Sequence, residues 1–267
     1  MPELPEVETV RRELAPRLEG RTIVRAERVD APAGPKYQGL ARAAGRRIVA
    51  VGRRGKFLVM PLAGGDELIV HLGMTGALSF EAPEDHVRVR VRLDEGVLYF
   101  RDPRRFGRFV VLAPGERSRL PTLAAMGPEP LEDGFTAAVL AAGLGRTRAA
   151  VKAVLLGQKV VAGVGNIYAD EALFRAGVHP EAPAASLTRA RVARLWAAIR
   201  EVLQAGVDDG GTTLSDYRRV DGSRGDHAAA LLVYGREGQA CATCGRALER
   251  IVIGQRGTTF CRRCQRR

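Results

Sequence analysis

The sequence predicts an α+β chain of two domains, rich in strands in its first half and helical in its second, ending in a small hairpin that carries four cysteines. Three observations lead there. Val87, Val89, Val91 and Leu93 alternate with Arg88, Arg90 and Arg92, a period of two that puts aliphatic residues on one face of a strand and guanidiniums on the other. Val192, Leu195, Trp196, Ile199, Val202 and Leu203 recur at helical spacing over 189–205, with Trp196 expected in the core. Cys241-Ala-Thr-Cys244 and Cys261-Arg-Arg-Cys264 form two C-x2-C knuckles. The 267 residues amount to about 1.8 typical domain lengths.

Each element follows from local chemistry. Residues 6–14 read as a short helix, with acids in the first turn and arginines later, as the helix dipole prefers. Residues 87–93 and 97–100 form a hairpin through Asp94-Glu95-Gly96, and 66–72 and 106–112 are further strands. Together these make a first domain over 1–112. Residues 113–134, with Pro114, Gly115, Pro121, Gly127, Pro128, Pro130 and Gly134, read as a linker. Helices over 147–156, 166–175 and 189–205 then define a second domain over 135–235, the first two joined by the glycine-rich stretch Gly157 to Gly165. The last element, 236–267, holds Ile251–Ile253 and Thr258–Phe260 as a hairpin whose tip presents Arg256.

Charge narrows the function. Lys and Arg number 42 against 30 Asp and Glu, a surplus of +12 that points to a polyanionic partner, most often nucleic acid. Residues 236–267 alone carry eight arginines and two glutamates. No uncharged apolar run approaches the ~18 residues needed to cross a bilayer. The first six residues contain two acids and no apolar core, so they are not read as a signal peptide, and a cytoplasmic protein is expected. Only four lysines (Lys36, Lys56, Lys152, Lys159) and one asparagine (Asn166) occur, which makes those positions worth examining.

Sixteen residues separate the two cysteine knuckles, a spacing that suits a tetrahedral four-thiolate zinc. With four thiolates no coordination position is left for water, so one structural Zn2+ is expected at Cys241, Cys244, Cys261 and Cys264; two disulfides or idle thiols are the alternatives. At the other end, Pro2 follows the initiator Met. Once uncapped it is a secondary amine, a nucleophile near neutral pH that can form only a cationic iminium with a sugar C1′. Glu3 beside it is a possible proton donor and acceptor. A simple helix start is the alternative.

Six blocks carry a resemblance. They are Pro2-Glu3-Leu4-Pro5-Glu6-Val7-Glu8-Thr9-Val10, Arg53-Arg54-Gly55-Lys56, His71-Leu72-Gly73-Met74-Thr75-Gly76, Asp102-Pro103-Arg104-Arg105-Phe106-Gly107, Gly163-Val164-Gly165-Asn166-Ile167-Tyr168 and the four-cysteine element. In this order they resemble the bacterial formamidopyrimidine-DNA glycosylases. The resemblance implies an N-terminal β-sandwich, a helix–two-turn–helix domain and a zinc finger. It implies an enzyme that excises oxidised purines such as 8-oxoguanine and formamidopyrimidines from duplex DNA and nicks the abasic site by β,δ-elimination, working as a monomer.

Roles follow from the same resemblance. Pro2 is the Schiff-base nucleophile, Glu3 the proton shuttle and Glu6 a support of the lesion pocket. Lys56 donates the proton in β-elimination, and Arg256 clamps a phosphate and donates in δ-elimination. Lys152 and Asn166 face the DNA, Asn166 by phosphate contact, by capping its helix, or both. His71 contacts phosphate. Met74, Arg104 and Phe106 fill the gap left by an extruded base, with Arg105 as the neighbour that could replace Arg104. The loop at 212–226 covers the flipped base, and Tyr234 matches a family position without a firm role. His86, His179 and His227 are read as surface or core. Endonuclease VIII, with its pyrimidine preference, and a non-catalytic zinc-finger DNA-binding protein are the competing readings.

Overall fold

The computed structural model describes residues 1–267. Two compact units emerge, one built from Met1–Ala124 and Asp209–Ala228, the other from Ala125–Asp208 and Ala229–Arg267. No helix is long and apolar enough to cross a membrane.

The first unit is a β-sandwich. It opens with α1 (Leu4–Leu18), longer than the expected 6–14 because Glu3 caps it three residues earlier and Leu14 and Leu18 carry its buried stripe a turn further. One antiparallel sheet contains β1 (Thr22–Arg28), β2 (Arg46–Arg47), β6 (Ala77–Ser79), β7 (Val87–Leu93) and β8 (Val97–Arg101) in the order β2-β1-β7-β8-β6. The other contains β3 (Gly52–Arg54), β4 (Phe57–Pro61), β5 (Glu67–His71) and β9 (Arg108–Leu112) in the order β3-β4-β5-β9. Val89, Val91, Leu98 and Phe100 from one sheet meet Leu58, Met60, Val70 and Phe109 from the other, and Val7, Val10, Leu14 and Leu18 of α1 join the same core. The rings of Phe100 and Phe109 stand 5.7 Å apart across it.

The alternation expected along 87–93 holds for Arg90 and Arg92, which are exposed, but not for Arg88. The pairing of β7 with β8 shifts register between Val87 and Val89, and this bulge turns Arg88 inward until only 2% of it is exposed.

The second unit is helical: after α2 (Pro121–Ala124) of the first unit come α3 (Ala137–Leu144), α4 (Val151–Leu156), α5 (Asn166–Ala176) and α6 (Arg189–Asp208). Gln158 staples the turn between α4 and α5, accepting from Gly163 N–H and donating to the Val164 carbonyl. Trp196 is half-buried and not a core residue, because its indole N–H donates to the Phe135 carbonyl 2.7 Å away. The chain closes with β10 (Glu249–Ile253) and β11 (Arg256–Phe260), joined by Gly254 and Gln255, both at positive φ as a two-residue hairpin turn requires.

One boundary differs from the expected span 135–235: residues 209–228 pack with the first unit. Two carboxylates of α1 hold them there. Glu6 Oε1 accepts from Thr212 N–H at 2.7 Å, and Glu13 accepts from Val220 N–H and the Arg219 side chain at 2.8 and 2.5 Å.

Candidate active site

The start of the chain is buried even though Met1 is exposed: Pro2, Glu3 and Glu6 all lie inside the first unit. Glu3 takes the N-cap of α1 and shares a reciprocal capping box with Glu6. The Glu3 side chain accepts from the Glu6 backbone N–H, and Glu6 Oε2 accepts from Glu3 N–H at 2.7 Å. Glu6 therefore has one oxygen fixing the backbone next to Pro2 and the other fixing Thr212 at the root of the 212–226 loop. Farther along the loop, Thr213 accepts from Gly225 N–H and donates to the Tyr217 carbonyl, and the Tyr217 hydroxyl donates to the Gly210 carbonyl. The expected lid is thus tied to the residues expected to do the chemistry.

Lys56 occupies the two-residue turn between β3 and β4, where Gly55 supplies the positive φ. It is buried, not a solvated surface charge. His71 sits on β5 opposite Phe57, with ring centroids 4.6 Å apart. Its Nδ1 accepts from Gly73 N–H at 3.2 Å. Burial first, and then the positive charges of Lys56 and Arg108, push the His71 pKa down to about 4. His71 is therefore neutral at physiological pH, with its Nε2–H as the donor it can offer a phosphate.

Met74 lies half-buried on the turn between β5 and β6; Arg104 and Phe106 lie on the loop between β8 and β9 and are exposed. Phe106 is 49% exposed, unusual for a phenylalanine, and the Arg104 guanidinium rests 4.9 Å from its ring centre. Arg105 is also exposed, and its guanidinium leans toward Asp30 at 3.9 Å. A cavity of about 440 Å3 is bounded by Thr75, Arg101 and Pro103 on one side and by Ser215, Arg218 and Arg219 of the 212–226 loop on the other.

The second unit gathers Lys152, Asn166 and the terminal hairpin. Lys152 does not face solvent, contrary to expectation. Its side chain is fully buried, with its ammonium 2.7 Å from Asp170 Oδ1, 2.7 Å from Thr258 Oγ1 and 3.2 Å from the Gly257 carbonyl. A buried ammonium needs a counter-charge, and Asp170, one helical turn after Asn166, supplies it. Burial pushes the Asp170 carboxyl up, while Lys152 and the Thr259 N–H pull the other way. Asn166 is the first residue of α5 and not its cap, which is Gly165. Its Nδ2 donates to the Gly257 carbonyl at 3.1 Å. Both residues thus hold the strand that begins with exposed Arg256.

The four cysteines converge. Their sulfurs all lie within 4.8 Å of one another, with Cys241–Cys264 at 3.9 Å and Cys244–Cys261 at 3.5 Å. A tetrahedral metal with bonds of about 2.3 Å separates its sulfurs by about 3.8 Å, whereas a disulfide needs about 2.05 Å. The four free sulfurs are placed to hold a metal ion and stand too far apart for disulfides. The knuckle is braced by Gln265, which accepts from Cys261 N–H and donates to the Val178 carbonyl.

Three family descriptions match the chain in sequence: the formamidopyrimidine-DNA glycosylase N-terminal domain over residues 1–109, the formamidopyrimidine-DNA glycosylase H2TH domain over 126–218, and the zinc finger found in FPG and IleRS over 238–267. The formamidopyrimidine-DNA glycosylases of Thermus thermophilus and of Deinococcus radiodurans are each 50% identical, covering 99% of this chain and 98% and 97% of their own length. The chain belongs to the formamidopyrimidine-DNA glycosylase family.

Solved structures of the family agree. The MutM (FPG) protein of T. thermophilus superposes with a TM-score of 0.93 over 99% of this chain and 98% of its own, at 50% identity. The Lactococcus lactis Fpg bound to DNA containing an abasic site superposes at 0.89, covering 99% of this chain and all of that one, at 34% identity. Within this glycosylase chain, sequence reasoning missed the carboxylates that hold the site together. Asp102 is fully buried, and nothing in its sequence neighbourhood of arginines and a phenylalanine marks it as an internal acceptor. Asp170 and Glu171 are adjacent acids buried on α5; Glu171 accepts three backbone N–H groups from Leu232, Val233 and Tyr234, each at 2.9 Å. The Tyr234 position is thus held through its backbone.

Proposed function

We propose that this protein is a base-excision DNA repair enzyme, a bifunctional DNA glycosylase and abasic-site lyase acting on duplex DNA that contains oxidised purines. Membership of the glycosylase family supports the class of reaction. The observation that carries the chemistry is the buried Pro2-Glu3 start, locked to α1 by the Glu3–Glu6 capping box.

After removal of Met1, the Pro2 nitrogen is a secondary amine at the positive end of a 15-residue helix, which favours its unprotonated, nucleophilic form. It attacks C1′ as the damaged base leaves, and Glu3 delivers the proton that opens the sugar ring. The resulting iminium acidifies C2′; loss of that proton expels the 3′ phosphate, and a second elimination expels the 5′ phosphate. Lys56 supplies the proton for the first elimination and Arg256 for the second. Glu6 works by holding the backbone and the lid loop. His71 binds phosphate as a neutral donor, Asn166 and Arg256 contact phosphates, and Lys152 acts through the hairpin strand it supports.

Met74, Arg104 and Phe106 occupy the gap left by the extruded base; an exposed phenylalanine is suited to wedge between stacked bases. The cavity beside the 212–226 loop has the size of a small-ligand pocket and is assigned to that base. One Zn2+ on the four cysteines serves a structural role: with no ligand position left for water, it folds the hairpin and takes no part in bond breaking. The sandwich together with the 212–226 loop is assigned the chemistry at the sugar, and the helical part with the terminal finger is assigned to hold the DNA. The enzyme acts as a monomer in the bacterial cytoplasm.

A panel of duplexes tests the substrate. Incision of 8-oxoguanine opposite cytosine is expected to exceed incision of thymine glycol by about tenfold or more, since a pocket built to hydrogen-bond one base rejects another strongly. Preference for thymine glycol would assign the chain to endonuclease VIII chemistry.

A further inference from the structure

The three residues assigned to the gap come from two separate loops, 72–76 and 102–107, which contain no regular structure. A wedge works only if its parts keep a fixed spacing, so something must join the loops. The structure assigns that task to Asp102. Its carboxylate is fully buried. Oδ1 accepts from the Thr75 hydroxyl at 2.8 Å, and Oδ2 accepts from Gly107 N–H at 2.7 Å. The Thr75 hydroxyl in turn accepts from Arg104 N–H at 3.3 Å. One carboxylate therefore links the residue after Met74 to the backbone on both sides of Arg104 and Phe106.

The loops are packed too tightly for other arrangements. A Cβ on Gly73 would lie 2.5 Å from Gly107 N, and a Cβ on Gly107 would lie 2.9 Å from Asp102 Oδ2. Behind Asp102, the buried Arg88 donates through Nε to the Asp102 carbonyl at 2.8 Å and through Nη2 to the Pro103 carbonyl at 3.3 Å, while also pairing with Asp30. The bulge that upset the alternation of β7 thus delivers a guanidinium to the back of the loop.

We propose that Asp102 is a positioning residue for specificity: by bracing Thr75 against Gly107, it sets Met74 against Arg104 and Phe106 and so governs discrimination of the base opposite the lesion. This rests on the assignment of those three residues to the gap, where Arg104 can donate to the acceptor edge of an orphaned cytosine and so favour lesions opposite that base. Asparagine keeps the shape and weakens the brace. With its oxygen on Gly107 N–H, its amide N–H meets the Thr75 hydroxyl, which must then turn its own hydrogen away and accept from both that amide and Arg104 N–H; the opposite flip sets two donors face to face at Gly107. In either orientation the hydroxyl-to-carboxylate bond that fixes Thr75 is lost.

The experiment measures single-turnover incision of 8-oxoguanine opposite cytosine and opposite adenine, together with lyase turnover on a single-stranded abasic oligonucleotide, which has no opposite base and no stack to fill. Asp102→Asn is expected to lower the cytosine-to-adenine ratio by about tenfold with single-strand lyase activity unchanged. An unchanged ratio overturns the proposal. Should Asp102→Asn lower every activity alike through misfolding, Thr75→Val and Thr75→Ser decide: the ratio must fall in the first and return in the second, and a ratio indifferent to both overturns the proposal. Arg104→Ala tests the underlying assignment separately. If it leaves the ratio intact, the gap-filling reading fails; if it collapses the ratio while Asp102→Asn and Thr75→Val do not, only the brace fails.

Discussion

Stripping the metal, or replacing Cys261 with alanine, is expected to unfold the terminal hairpin and reduce duplex incision by at least ~10²-fold, because Arg256, the proposed phosphate clamp and proton donor, loses its place and losing a donor of this kind costs several kcal/mol. A two-stranded sheet is marginal in water on its own, and the small apolar cluster beside the hairpin, Phe174, Val233, Cys241, Leu248 and Cys261, includes two of the candidate ligands. The proposed metal is expected to supply the balance; structural zinc binding is worth ~10–16 kcal/mol in small fingers. The damage extends to α4 and α5, since Lys152 and Asp170 lose Thr258, Gly257 and the Thr259 N–H and are left as a buried pair with broken hydrogen bonds. Metal release read by a chromogenic chelator should track the loss of amide protection at Ile251, Ile253 and Thr258, whose N–H groups lie in the hydrogen-bonded pairs of the hairpin. A metal-free chain that keeps this protection and full incision contradicts the structural role.

The second large effect belongs to Glu3. Glu3→Gln is expected to reduce excision of 8-oxoguanine by ~10²–10⁴-fold, the range for removing a general acid–base group. Lyase turnover on a preformed abasic site should fall by less than ~10-fold, because the base is already gone and the hemiacetal sugar opens to its aldehyde without a proton from the protein. Stability should barely change. Glutamine retains an oxygen to accept from the Glu6 N–H, and Glu6 still accepts from the backbone at position 3. Equal losses on both substrates would make Glu3 a mere positioner of Pro2, and no loss on either would remove it from the reaction.

Much of this architecture was legible in the sequence, and the failures have physical causes. The metal site was readable because cysteine spacing fixes geometry almost regardless of context. The two sheets were readable wherever period two ran undisturbed, and failed at Arg88, where a bulge, invisible to periodicity, reversed one side chain. Lys152 stands out in the sequence as one of four lysines, but its burial is not readable there: its partner Asp170 lies 18 positions on, and hydrogen-bond partners in a third element finish the enclosure. By sequence order the 209–228 segment reads with the helical part, because it follows α6 directly. Glu6 and Glu13, two hundred residues earlier, draw it to the sandwich, and nothing local announces such a pairing. Asp102 was hidden for a similar reason: a buried acceptor reveals itself only through the donors that the fold brings to it.

The account stands on covalent bonding through the nitrogen of Pro2. Borohydride reduction of the enzyme mixed with an 8-oxoguanine duplex, followed by proteolysis and mass spectrometry of the cross-linked peptide, tests this most directly. The account predicts one adduct, on the Pro2 nitrogen of chains lacking Met1, and none for chains that retain Met1. An adduct on Lys56 or another side chain, or trapping at undiminished yield with Met1 in place, contradicts it.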